Sequence, residues 1–181
     1  MLTAEGAMSA ELQRLARRLA EDGAKTAEFF NGLVAEDWAQ QVYRTGSKWT
    51  VRDILAHFVS AERSFRELLN DIMHGGKGAP RNLDIIEFNE EAVPALHALS
   101  PQDLQLAFSE AREGTIEIAA SMTAADLDKV GYHPWFGDVD LRSMVKLVYR
   151  HNMIHLRDIR RALKDRAPVE HVDISPPSSK M

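Results

Sequence analysis

The segment from Leu141 to Arg166, LRSMVKLVYRHNMIHLRDIRRALKDR, contains neither glycine nor proline. Its apolar residues Leu141, Met144, Val145, Val148, Ile159 and Leu163 recur at helical spacing, and Asp140 stands where an N-cap belongs. These features predict a long amphipathic helix around which the rest of the chain is built. His151 and His155 lie four residues apart, so they stack on one face, the face shared with Met144, Val148 and Ile159. Both imidazoles are therefore expected to point into the core.

Two imidazoles on successive helical turns can chelate one metal ion with little loss of side-chain freedom. A catalytic centre of the zinc type needs a third protein ligand and an open position, so another helix has to supply the third donor. His57 is the candidate. It falls in a second predicted helix that opens at Thr50, with Asp53 in capping-box position, and runs through Ile54, Leu55, Phe58, Phe65, Leu68, Leu69 and Ile72 to Gly75 and Gly76. On that helix His57 shares a flank with Ile54, Ala61 and Leu68, at the core edge with room beside it.

The remaining elements follow from the same signals. Leu12, Leu15, Leu19, Ala27, Phe30 and Leu33 predict a first helix from Ser9 to near Gly32, and a short link with Trp38, Val42 and Tyr43 is expected to pack as a lid on one end of the core. Residues 75–100 form the longest connection, with a flexible GGKGAP segment and a short helix around Asp84 to Ala92. Ser100, Pro101 and Asp103 start a third long helix that ends near Met122. Thr123 and Asp126 suggest a further turn, and KVGYHPWFGDVD reads as a tight hairpin or an irregular loop. Residues 1 to about 8 lack pattern, and VEHVDISPPSSKM beyond Arg166 reads as a tail, flexible or laid on a neighbouring surface. The fold class is all-α: four long helices, with a crossover between the second and third long enough to let those two run parallel.

Composition narrows the chemistry. The 181 residues include no cysteine, which excludes a disulfide framework, cysteine-ligated metal and a protein thiol as nucleophile. Metal binding must then use histidine, carboxylate and water. A net charge of -5, from 22 Lys+Arg against 27 Asp+Glu, argues against a nucleic-acid partner bound through a broad basic face. There is no 20-residue apolar run and no charged-then-apolar N-terminal signal, so no membrane partner and a cytoplasmic location are the expectation.

Two segments together resemble a known family. KWTVRDILAHFVSAE (Lys48 to Glu62) is similar to the second-helix signature of the DinB/YfiT-like superfamily, and RHNMIHLRDI (Arg150 to Ile159) to its last-helix His-x-x-x-His signature. The resemblance spans roughly residues 9–166. It implies a single domain over residues 1–166 with a tail at 167–181, an up-down-down-up four-helix bundle and a homodimer. It also implies a divalent metal, zinc or nickel foremost, held by His57, His151 and His155. Several members of that superfamily use a low-molecular-weight thiol such as mycothiol or bacillithiol in transferase or isomerase reactions on small-molecule substrates.

Other residues carry weaker signals. Asp53 and Asp158 lie near the histidines and could orient a ligand, but a cap for Asp53 and an ion pair with Arg161 or another base for Asp158 are the expected roles. Trp49 and Trp135 read as core closure, His133 as a solvated loop position, and His74, His97 and His171 show no pattern. Tyr149 and Arg150 point away from the histidine face. Arg157, Arg160, Arg161, Lys164 and Arg166 form a basic helix end that complements the helix dipole. The sequence offers no glutamate of the HExxH kind, Asn152 holding that position, so thiol transfer ranks above metal-dependent hydrolysis. The alternative class is a helical protein that binds a metal or small ligand without turnover.

Overall fold

The computed structural model describes the backbone of residues 4–171 and the side chains of residues 10–171. Within them the chain forms α1 (Ala4–Asn31), α2 (Val51–Met73), α3 (Ile85–Ala92), α4 (Pro101–Ser121) and α5 (Leu141–Asp165). A hairpin of β1 (Val130–His133) and β2 (Gly137–Asp140) leads directly into α5. The fold is mostly helical, with this small sheet as its only strand pair among the described residues.

The helix starts are set by local chemistry. Thr50 and Asp53 cap α2 reciprocally, Ser100 and Asp103 do the same for α4 behind Pro101, and the carboxylates of Asp84 and Asp140 accept from the first free N–H groups of α3 and α5. The segment with two alternatives, KVGYHPWFGDVD, is a hairpin. Gly131 pairs with Val139 in it, and Gly137 adopts φ 75°, a conformation that favours glycine, where the turn meets β2. α1 begins earlier than the leucine spacing predicts, and the Trp38 link contains a 3-10 turn over Ala35–Ala39.

α2 packs against α4 and α5, and α1 packs against the same two helices. The core divides into two apolar clusters. One joins Phe30, Val42, Val51, Phe58, Phe108 and Ile159, and the other joins Leu19, Phe65, Leu69, Leu127, Met144 and Val148. As expected, Trp38, Val42 and Tyr43 close one end of the first cluster. Between α1, α2 and α4 lies a buried polar network that the apolar pattern does not reveal. Arg112 reaches Glu62 at 2.6 Å and Asp22 at 3.3 Å, and Thr115 donates to the other Glu62 oxygen at 3.0 Å.

The first residues after α5 are laid on the fold. Val169 is buried, its N–H donates to Val42 O at 2.8 Å, and its carbonyl accepts from Arg44 N at 2.9 Å. Positions 172–181 of the expected tail lie outside the described residues. No helix of the described chain is long and apolar enough to cross a membrane.

Candidate metal centre

The two histidines of α5 meet as their spacing requires, with ring centroids 4.7 Å apart. α2 brings His57 alongside, its ring 4.8 Å from that of His151 and 5.1 Å from that of His155. One nitrogen from each ring falls within 4.8 Å of the others, and the Nε2 atoms of His57 and His151 are 2.8 Å apart. The cluster sits where the two apolar halves of the core meet, since His151 touches Phe58 of one and Phe65 of the other. His57 is fully inside rather than at the core edge, because Trp49 lies over its ring at 4.6 Å.

The outer nitrogens of two rings are held. Tyr43 places its hydroxyl 2.5 Å from His155 Nδ1, and the Asn152 carbonyl oxygen lies 3.2 Å from His151 Nδ1. These contacts leave Nε2 of each ring as the atom facing the cluster. Asn152, which registers in the sequence only as a missing glutamate, is almost fully buried and supplies one of them. His57 Nδ1 is buried without a hydrogen-bond partner.

Burial makes these imidazoles neutral. Loss of water holds His57 and His155 well below the ordinary histidine range, with His151 and His171 adding to the effect on both, and His57 on His155. His151 is pushed down to about 4, again by burial, against the opposing effect of the hydrogen bond that its Nδ1 makes to the Asn152 side-chain oxygen. Burial also raises the Tyr43 hydroxyl, with the Asp158 charge acting in the same direction, so Tyr43 stays protonated.

The neighbouring residues divide between expected and corrected roles. Asp53 caps α2 and meets His97 at 3.1 Å, which leaves it outside the cluster. Asp158 is completely buried and pairs with Arg157, at 2.9 Å, rather than with Arg161. His74 turns back on its own helix end to Asn70 O at 2.8 Å. His133 is a correction: only 8% exposed, it stacks on Phe65 at 5.4 Å because the hairpin folds back over α2 instead of standing in solvent. His171 is the residue that pattern reading missed. Its ring lies parallel to His155 at 5.3 Å and its Nδ1 meets Asp158 Oδ2 at 3.3 Å, an approach that depends on the strand-like pairing of residues 42–44 with Val169.

This donor set fits a divalent ion. Around a tetrahedral zinc with bonds of about 2.0–2.1 Å, neighbouring donor nitrogens stand about 3.3 Å apart, so ring nitrogens already within 4.8 Å of one another need only small adjustments. Three neutral imidazoles with free lone pairs suit zinc, nickel or iron better than magnesium or calcium. A surface groove of about 470 Å³ between α1 and α5, beside Arg14, Arg18, Lys146 and Tyr149, lies elsewhere. Convergent chemistry rather than groove size therefore marks the candidate centre.

The fold and the cluster together define a mostly helical protein with a three-histidine group able to hold one metal ion. Residues 8–159 match the DinB superfamily, and the chain belongs to that family. No curated protein matches it.

Proposed function

We propose that the protein is a divalent-metal-dependent enzyme in which His57, His151 and His155 bind the ion, and that it transfers a low-molecular-weight thiol to an electrophilic small molecule. The observation that carries the metal reading is the convergence of three desolvated, neutral imidazoles from two helices. When bound, the ion supplies Lewis acidity that lowers the pKa of a thiol or water in its open position. Tyr43 and Asn152 fix the His155 and His151 rings, and Trp49 and Phe58 exclude water from the cluster. The thiol version is supported by two features. The chain has no cysteine of its own, and the group that converges here, among the described residues, contains no carboxylate to serve as a hydrolytic base.

The helical frame is read as an up-down-down-up four-helix bundle. Glu11 pairs with Arg142 at the start of α5 and Arg160 lies over Phe29 near the end of α1, which supports a parallel pair. Phe58 meets Phe108, and Ser121 meets Met73, which supports parallel α2 and α4 across the long crossover. The His57 contacts with His151 and His155 set α2 against the end of α5 that lies away from its start.

The test is elemental analysis of untagged protein beside a His151→Ala/His155→Ala variant. About one divalent ion per chain, lost in the variant, is the expected result and would justify a screen of thiols against electrophiles. Wild type that stays empty after incubation with zinc and nickel would return the histidines to a structural role. Stable occupancy without turnover would favour a metal-binding protein that is not an enzyme.

A further inference from the structure

The groove of about 470 Å³ between α1 and α5 lies on the side of α5 turned away from His151 and His155, since Lys146 and Tyr149 stand on the opposite face of that helix. Arg14, Arg17 and Arg18 of α1 and Lys146 of α5 line it with four cations, against two carboxylates at Glu11 and Glu21. Helical spacing gathers the α1 residues, because 11, 14, 18 and 21 succeed one another by three or four positions. Both carboxylates are already engaged. Glu11 pairs with Arg142 at 3.0 Å, which also holds Asp128 at 2.9 Å, and Glu21 stands 3.9 Å from Arg17. Among the described residues Arg14, Arg18 and Lys146 form no ion pair. Arg18 is instead steadied over the Tyr149 ring, 5.6 Å from its centroid, and reaches the Met153 sulfur at 4.0 Å.

Like charges one turn apart on a helix repel, as Arg14 and Arg18 do, and Lys146 adds a third cation across the groove. The chain has acids in excess, with a net charge of -5, yet places none of them to neutralise these three. We propose that the groove binds a small organic phosphate ester, its dianionic head on Arg14, Arg18 and Lys146 and its apolar body against Leu15 and Tyr149. A guanidinium fork matches phosphate oxygens two at a time, and a lysine adds a point charge. The volume falls within the about 300–1,000 Å³ of small-molecule sites, and an inorganic anion alone would leave Leu15 and Tyr149 uncovered. The site is separate from the metal centre and does not depend on it.

The experiment is calorimetric titration of the full chain with phenyl phosphate and with inorganic phosphate at fixed ionic strength, with and without zinc. Arg14→Gln/Arg18→Gln and Lys146→Gln are compared with Arg161→Gln/Lys164→Gln, which removes two charges from the far end of α5. Arg14 and Arg18 are exposed, so their variant should fold, and urea unfolding checks that it does. The expected result is phenyl phosphate binding that is tighter than that of inorganic phosphate and indifferent to zinc. It should weaken at least about tenfold in the Arg14/Arg18 variant, several-fold in Lys146→Gln, and less than about twofold in the Arg161/Lys164 variant. No binding by wild type, equal weakening in all three variants, or binding that appears only with zinc would overturn the proposal. Vesicles containing phosphatidic acid present the same head group on a surface. Protein that sediments with them but binds no phenyl phosphate in solution would assign this face to a membrane and overturn the small-molecule site.

Discussion

Replacing His133 with phenylalanine gives a pH-dependent stability change whose sign reverses within an accessible range. Burial holds His133 down to about 4 in the folded chain, against about 6.5 when unfolded. Above pH 6.5 neither state carries the proton and the group has no pH-dependent effect. As pH falls from 6.5 toward 4 the unfolded chain takes up a proton that the folded chain refuses, so stability is lost; below 4 both states hold it and the loss is constant. The full gap of about 2.5 pH units corresponds to about 3 kcal/mol, and at pH 5 the loss is about 2 kcal/mol. The phenylalanine variant keeps the stack on Phe65 but loses the hydrogen bond that Trp135 N donates to His133 Nδ1, a pH-independent cost of about 1 kcal/mol. It should therefore be less stable than wild type by about 1 kcal/mol at pH 7.5 and more stable by about 1 kcal/mol at pH 5. Urea unfolding of both proteins at several pH values, with a chelator present throughout, measures the difference. A difference between the two that stays constant from pH 7.5 to 4.5 would refute the assignment of His133 as a buried neutral group.

Three further outcomes are expected. Tyr43→Phe removes the hydroxyl that holds His155 Nδ1 and should weaken metal binding about 10–100-fold, measured by competition with a chromophoric chelator. Arg112→Met leaves Glu62 and Asp22 without their buried cation and should lower stability by about 3–5 kcal/mol in chemical denaturation, with part of the loss recovered by adding Glu62→Gln. Thr50→Ala breaks one half of the capping box at the start of α2 and should cost about 0.5–2 kcal/mol in the same assay, with the metal stoichiometry unchanged.

The sequence by itself determined the helices and the positions of the three histidines. Apolar spacing, the caps at Thr50, Ser100 and Asp140, and the breaks at Gly75 and Pro101 are local signals, since each acts through bonds within a few residues of the chain. The His151 and His155 pair was legible for the same reason: a helix brings residues four apart together whatever surrounds it. Only the tertiary structure decided what meets across elements. Tyr43 and Asn152 as the partners of the ring nitrogens, His133 folded back on Phe65, the Arg112 network and the return of residues 168–171 to the cluster leave no period in the sequence. Each depends on contacts between residues far apart in the chain, and a single polar side chain on a loop is compatible with solvent or with burial until the packing of its neighbours removes the water around it.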